Sequence, residues 1–244
     1  MIRIEDHESA YGTITILKAR KTGAIIYEQL GFNQSECDCN GTSLASYIHA
    51  IFGLIWQARS QSILMIGCAG GTLGTMLSRI GKVVTIVDVN PAAFRLARQY
   101  FNLPEIVECY VADGRDFLQS GSSTFDAIVI DAYHGDRVPT HLQTRVFFKL
   151  VRSRLSMQGA VFANIHVEDD LDLSADRFAN QMAKVWPRAR LLDTYGLRGR
   201  NAIAMAGDVS EFTPPCILVP PVVHAPGIGA ELAMMRFRAR KRTP

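Results

Sequence analysis

Apolar and polar positions follow two rhythms along this chain. Up to about residue 36 they tend to alternate at every second position, as in strands with one covered face. Tyr11–Leu17 (YGTITIL) reads as a strand, Ala24–Tyr27 as its partner across the turn Lys21-Thr22-Gly23, and Phe32–Ser35 as a third. A small antiparallel sheet is expected there. Leu44, Tyr47, Ile51 and Ile55 then recur at helical spacing, which predicts a helix from a Thr42 or Ser43 cap to about Ala58.

From Ser62 the rhythm changes to short apolar runs separated by helical patterns. Ile63–Ile66, Val83–Val87, Val107–Val111, Ala127–Ile130 and Ala160–Ile165 read as buried strands. Helices fit Thr72–Arg79, the segment opened by Asn90-Pro91, Leu142–Leu155 and Ala175–Val185. Arg190–Leu192 and Ala202–Ala206 read as a closing antiparallel pair. Such alternation predicts an α/β fold, a mostly parallel sheet covered by helices on both faces. The proline-rich stretch 213–230 predicts an irregular wrap or linker. The expected division is a small β-sheet over 1–41, an α/β domain over 42–212 and a Pro-rich segment with a basic tail over 213–244.

Composition narrows the class. Of 244 residues, 48% are hydrophobic, enough to fill one sizeable core. No apolar run nears the roughly 20 residues of a membrane helix. The opening MIRIEDHE lacks the apolar stretch of a signal peptide, so a cytoplasmic location is expected. The net charge of +3 is local: five basic side chains lie in RFRARKR, residues 236–242, and without them 21 basic groups face 23 acids. That run is expected to be a solvated, partly disordered end, and nucleic acid is not expected as a partner. Cys37 and Cys39 form a lone C-x-C without further ligands nearby, so no metal site is expected and all five thiols are read as reduced.

In a sheet of this kind, ligands sit beyond the carboxyl ends of the strands. The first run is followed by Gly67-Cys68-Ala69-Gly70-Gly71, small residues that let a ligand approach the backbone at a helix N-terminus. Asp88 ends the second run at a spacing that suits a carboxylate bonded to ribose hydroxyls. Asp113 ends the third, where it fits either a base's exocyclic amine or the cap of a short helix. The fourth ends in DAYHGDRVPTHL, with Asp131, Tyr133, His134, Asp136 and His141 on one loop. Acids at buried strand ends are costly unless something polar holds them. A nucleoside ligand follows from the loop and Asp88 together. A plain NAD-binding oxidoreductase fits the Ala69, Asp113 and Asp131 series poorly.

The series IGCAGGTLG, VDVN, VADGRDFL and FDAIVIDAYHGDRVP resembles the class I S-adenosylmethionine-dependent methyltransferase fold (Rossmann-like), and within it the spermidine synthase (polyamine aminopropyltransferase) group. The resemblance runs over about residues 10–207. It implies that Gly67, Ala69 and Gly71 line the cofactor's aminoacyl or aminopropyl side, that Asp88 holds its ribose, that Asp113 and Gly114 contact adenine and that Gln34 reaches the same cofactor. It implies Asp131 as the acid that orients and deprotonates an attacking amine; the loop's own residues place Tyr133 to shape the acceptor pocket and His134 or Asp136 to replace a second acid. The cofactor would be S-adenosylmethionine or its decarboxylated form, without a metal. The partners would be a small acceptor, such as a polyamine, and a second copy of the chain through the N-terminal sheet and the Tyr47 helix.

Three features depart from the family pattern, one being its Y-x-E polyamine contact, of which Tyr47 remains while Ile48 and His49 follow. His134 stands where the family's fourth-strand motif D-S-S-D-P has its second acid, and Ala69-Gly70 stand where its glycine loop carries one. Three functions are therefore open: spermidine synthase-like alkyl transfer, methyl transfer to a small molecule, and a non-catalytic nucleoside-binding or scaffold role.

Overall fold

The apolar runs and their spacing build a central sheet of eight strands, seen in a computed structural model that describes residues 1–241. Its strands are β5 (Ser62–Ile66), β6 (Val83–Asp88), β7 (Glu108–Val111), β8 (Phe125–Ile130), β9 (Leu155–Val167), β10 (Arg190–Asp193), β11 (Arg200–Gly207) and β12 (Arg236–Arg238). Their order is β12-β10-β11-β9-β8-β5-β6-β7, and β5 to β9 pair in parallel. Ile63, Leu64, Met65 and Ile66 are all buried, as a strand covered on both faces requires. The chain leaves β5 toward β6 and returns through β8 on its other side. That reversal opens a crevice at the carboxyl ends of β5 and β8.

Helices α1 (Ser46–Gln57), α2 (Thr72–Arg79) and α3 (Pro91–Tyr100) share one apolar cluster with one face of the sheet. Helices α4 (Gly114–Ser120), α5 (Arg145–Ser153) and α6 (Ser174–Ala183) cover the other through Leu118, Phe147, Phe148, Phe178 and Met182. The N-terminal sheet has four strands, β1 (Ile2–His7), β2 (Ile14–Lys18), β3 (Ile25–Gln29) and β4 (Phe32–Cys37), paired antiparallel in sequence order. Ile14, Ile16, Tyr27 and Cys37 pack it onto Leu96 of α3 and Phe101.

Several elements differ from the sequence pattern. Helix α1 starts at Ser46 after an Ala45 cap, because Ser43 spends its hydroxyl on the Ala45 N–H in the preceding turn and Asp38 ties down the Thr42 N–H. The helix expected over 142–155 divides into a 3-10 turn, Thr140–Gln143, and α5, which Thr144 caps through the Phe147 N–H. The stretch after residue 212 is not simply a linker. It runs along α1, where Gln57 bonds Thr213, and then forms α7 (Ala225–Met234), whose Ile228 and Leu232 share the α1 core. The basic end is no frayed tail up to residue 241: Arg236–Arg238 pairs with β10 as the edge strand β12. Arg242, the last basic residue of that run, lies outside the described residues.

Candidate active site

Gly67 begins the turn after β5 at φ +104°, and a Cβ there would lie 2.2 Å from the Asp131 carbonyl oxygen. Only glycine lets the β5 and β8 ends approach this closely. Ala69 holds φ +44°, a left-handed conformation that strains a residue with a side chain. Gly71, at φ +63°, is the N-cap of α2.

Two cavities meet over this turn. The larger, about 530 Å³, is walled by the loops after β5, β6, β7 and β8. Gln34, Gly67, Ala69, Asp88, Asp113, Gly114 and the loop residues Asp131, Tyr133 and His134 all line it, whereas Gly71 does not. The smaller, about 320 Å³, lies on the α1 side and is lined by Glu36, Tyr47, Asp136, Asn164, His166 and Asn201 among others. Asp131 and Tyr133 face both, as do Gln34 and Ala69.

Asp131 is the hinge of the arrangement. Its Oδ2 accepts from the Tyr47 hydroxyl at 3.2 Å and its Oδ1 from Asn164 Nδ2 at 2.9 Å. Burial pushes its carboxyl above the usual range, while those two donors pull it partly back. Burial also keeps the Tyr47 phenol protonated, so Tyr47 remains a donor to Asp131. The Tyr133 hydroxyl donates to the Asn164 carbonyl at 2.8 Å and accepts from the His166 N–H at 2.9 Å, which fixes its ring between the loop and β9.

In the larger cavity, the two Asp88 oxygens accept from the Cys68 N–H at 2.8 Å and the Asn90 N–H at 2.7 Å. Each keeps a lone pair for a further donor. Burial raises the Asp88 carboxyl despite these bonds. Asp113 Oδ1 caps α4 through the Arg115 and Asp116 N–H groups, and its Oδ2 pairs with His141 Nε2 at 2.8 Å. One oxygen of Asp113 thus caps α4, and the other is paired with His141, which lines the same cavity. A Cβ on Gly114 would run into the Ile66 side chain, so this glycine sets how closely α4 packs on β5. Gln34 Nε2 donates to the Gly135 carbonyl at 3.1 Å and ties β4 to the loop after β8.

His134 and Asp136 are exposed on that loop, His134 on the larger cavity and Asp136 on the smaller. No hydrogen bond among the described residues joins either to Asp131. His49, two residues beyond Tyr47, is buried and pairs with the Ser43 carbonyl at 2.8 Å, outside both cavity walls.

Charge separates what the cavities can hold. The smaller one carries the carboxylates of Glu36, Asp131 and Asp136, and none of the described residues lining it is Lys or Arg. The larger carries Asp88, Asp113 and Asp131, again with no Lys or Arg on its described wall. Acidic surroundings of this kind attract cations. The residues fit a nucleoside bearing positive charge: Asp88 and Asp113 offer free lone pairs, and the Gly67 turn leaves backbone within reach. A pyrophosphate would find no cationic side chain here.

Sequence reasoning missed Glu36, Asn164 and Asn201. Glu36 reaches the cavity only through the pairing of β4 with β3. Asn164 could have been noticed as a lone amide inside the apolar run AVFANI. Among the described residues no cluster suits a metal ion, and no helix is long and apolar enough to cross a membrane.

Residues 63–159 match a family described as a methyltransferase domain. Over 125 residues the chain is 33% identical to a polyamine aminopropyltransferase of Chromobacterium violaceum, covering 49% of this chain and 48% of that protein. The chain thus spans about half the length of the curated relatives it matches. A crystal structure of a probable spermidine synthase from Corynebacterium glutamicum superposes with TM-score 0.79 at 22% identity, over 97% of this chain and 90% of that one. A spermidine synthase in complex with the transition-state analogue AdoDATO superposes with TM-score 0.69 at 21% identity, over 87% and 77%.

Proposed function

We propose that this chain, a spermidine synthase-like member of the class I methyltransferase fold, transfers an alkyl group from an S-adenosyl sulfonium to a small amine, with Asp131 as the base. The group is aminopropyl by the likeness to polyamine aminopropyltransferases. One observation carries the reading. A half-buried carboxylate, Asp131, stands where two cavities meet, and the smaller cavity holds three carboxylates and no basic side chain on its described wall.

Asp88 would hold the ribose hydroxyls and Asp113 Oδ2 the base, with the Gly67–Gly71 turn beneath the rest. When bound, the sulfonium supplies an electrophilic carbon. The chain's own work is on the acceptor. An amine with a pKa of about 10 arrives protonated, and Glu36 and Asp136 draw the cation into the smaller cavity. Asp131 takes the proton from its nitrogen and so frees the lone pair. Tyr47 and Asn164 keep the carboxylate oriented, and much of the rate comes from holding the partners in line.

A second reading, methyl transfer from intact S-adenosylmethionine, rests on Gly70. This residue stands where the family's glycine loop carries an acid, and a Cβ here would lie 2.7 Å from the Phe101 ring and 2.8 Å from Ser35. The loop has no room for that acid, so no carboxylate at this position opposes the carboxylate of the intact cofactor. The homodimer that the resemblance implies belongs to the same proposal. Ile2, Ile4, Leu30 and Phe32 are exposed on the N-terminal sheet, and light scattering would give the mass.

Calorimetric titration with S-adenosylmethionine and with its decarboxylated form, on the wild type and on Asp88→Ala, tests the reading. Tighter binding of the decarboxylated form, weakened at least tenfold by Asp88→Ala, is expected, with transfer to a diamine. Preference for the intact form moves the work to methyl acceptors. A folded protein that binds neither overturns both enzyme readings.

A further inference from the structure

β11 runs antiparallel to β9, and the register sets Asn201 opposite His166 and Ile203 opposite Asn164. Residues two apart on a strand share a face. Asn164 and His166 therefore stand on one face of β9 with Asn201 diagonally across from Asn164, within side-chain reach. Asn201 Nδ2 donates to Asn164 Oδ1 at 2.8 Å, and Asn164 Nδ2 donates to Asp131 Oδ1 at 2.9 Å. A carboxylate can only accept, so the direction of this chain is set from Asp131 outward: amide nitrogen toward Asp131, amide oxygen toward Asn201.

We propose that Asn201 is a positioning residue, holding the Asn164 amide in the one orientation that presents its N–H to Asp131. It rests on the reading of Asp131 as the base, since that is what makes the orientation matter. The amide dipoles of Asn201 and Asn164 line up with their positive ends toward Asp131, a cooperative arrangement centred on the buried Asn164 side chain. Without Asn201, the Asn164 amide is free to turn. Its oxygen then meets the carboxylate part of the time, and the charged form of Asp131 loses support.

Asn201 is well placed to act in this way alone. Its backbone is held in the β9–β11 ladder. Its neighbour Arg200 is anchored at 2.8 Å to Asp193 and at 3.0 Å to Asp170. Loss of the Asn201 side chain therefore leaves the strand in place. The other titratable groups on the same cavity are Tyr47 from α1, Cys68 after β5, Glu36 from β4, Tyr133 and Asp136 after β8 and His166 from β9. None of them changes in the variants below.

The test is an NMR titration of protein labelled with [13C]carboxyl aspartate, with no ligand added, on the wild type, Asn201→Leu and Asn201→Ala. Asp131→Asn identifies the resonance. The expected result is an upward shift of the Asp131 midpoint by about one pH unit in both variants, with the other aspartates unmoved. A midpoint equal to the wild type in a folded variant overturns the proposal. The two readings fail separately. If the midpoint shifts while Asp131→Asn still supports transfer, the relay stands and the base assignment falls. If Asp131→Asn abolishes transfer and the midpoint does not move, the base stands and the relay falls.

Discussion

Asp131 carries opposing demands. Its carboxyl must be charged to accept a proton, yet burial raises its pKa, and two neutral donors, Asn164 and Tyr47, compensate in part. The sign follows directly. The active form has lost its proton, so transfer declines as pH falls through the Asp131 midpoint. A raised midpoint places that acid limb above the ordinary carboxylate range. A pH profile of kcat/KM should show a limb there, and Asp131→Asn should lose about 10²–10⁴ in kcat with cofactor affinity nearly unchanged. An activity that survives Asp131→Asn would assign the base elsewhere on the wall, with His166 and Asp136 next in line.

At the scale of elements, the strands that end at the site were the most legible. Four of the five apolar runs that make β5 to β9 sit within one residue of their observed carboxyl ends; in β5, β6 and β8 the burial of both faces leaves few polar positions to confuse the pattern. β1 was missed because Arg3, Glu5 and Asp6 break up an edge strand that is largely exposed. α7 was missed because Pro226, Gly227 and Gly229 read as breakers, although proline at the first helical positions is well tolerated. The glycine turn and the acids Asp88, Asp113 and Asp131 were legible because each lies at, or within two residues of, the end of its strand. Glu36, Asn164 and Asn201 were not, since what brings them together is sheet register rather than spacing. The cap of α3 was legible as well, and it has a second use. Asn90 Oδ1 accepts from the Ala92 N–H at 3.1 Å, while its Nδ2 donates to Ser9 Oγ at 3.1 Å and so joins the N-terminal segment to α3. Asn90→Ala should cost about 1–2 kcal/mol in urea unfolding, with protease sensitivity rising first near residues 8–12. A loss of stability under a few tenths of a kcal/mol would show that the cap is dispensable.

At the scale of the molecule, the far edge of the sheet is closed by charge. Arg238 on β12 bonds Asp193 at 2.8 Å and Asp176 at 2.8 Å, and Arg200 bonds Asp193 from β11. Asp176 and Asp193 are buried, so Arg238 joins α6, β10 and the C-terminal strand through two carboxylates that water does not reach. Removing one partner of a buried pair leaves an uncompensated charge, which costs more than the pair itself contributes. Arg238→Met should therefore destabilise the fold by about 3 kcal/mol at neutral pH. The pH dependence supplies the check. Burial raises the Asp193 carboxyl, but the bonds from Arg200 and Arg238 outweigh it and hold the net value below the usual one. A depressed folded pKa means stabilisation present above the unfolded pKa and lost as pH falls through the folded one. The wild type should lose stability below about pH 4, as protonation of Asp193 cancels its pairing. The variant, which has already lost one of those bonds, should lose less over the same interval, and the two unfolding curves should converge toward acid. A destabilisation that stays constant from neutral to about pH 3 would mean that Arg238 acts by packing along β10 rather than by charge. The same edge anchors the start of β11 at Arg200, one residue before Asn201. The C-terminal strand and the Asn201–Asn164–Asp131 chain thus belong to one continuous structure, and loosening the first should raise the Asp131 midpoint in the second, in the same direction as loss of Asn201.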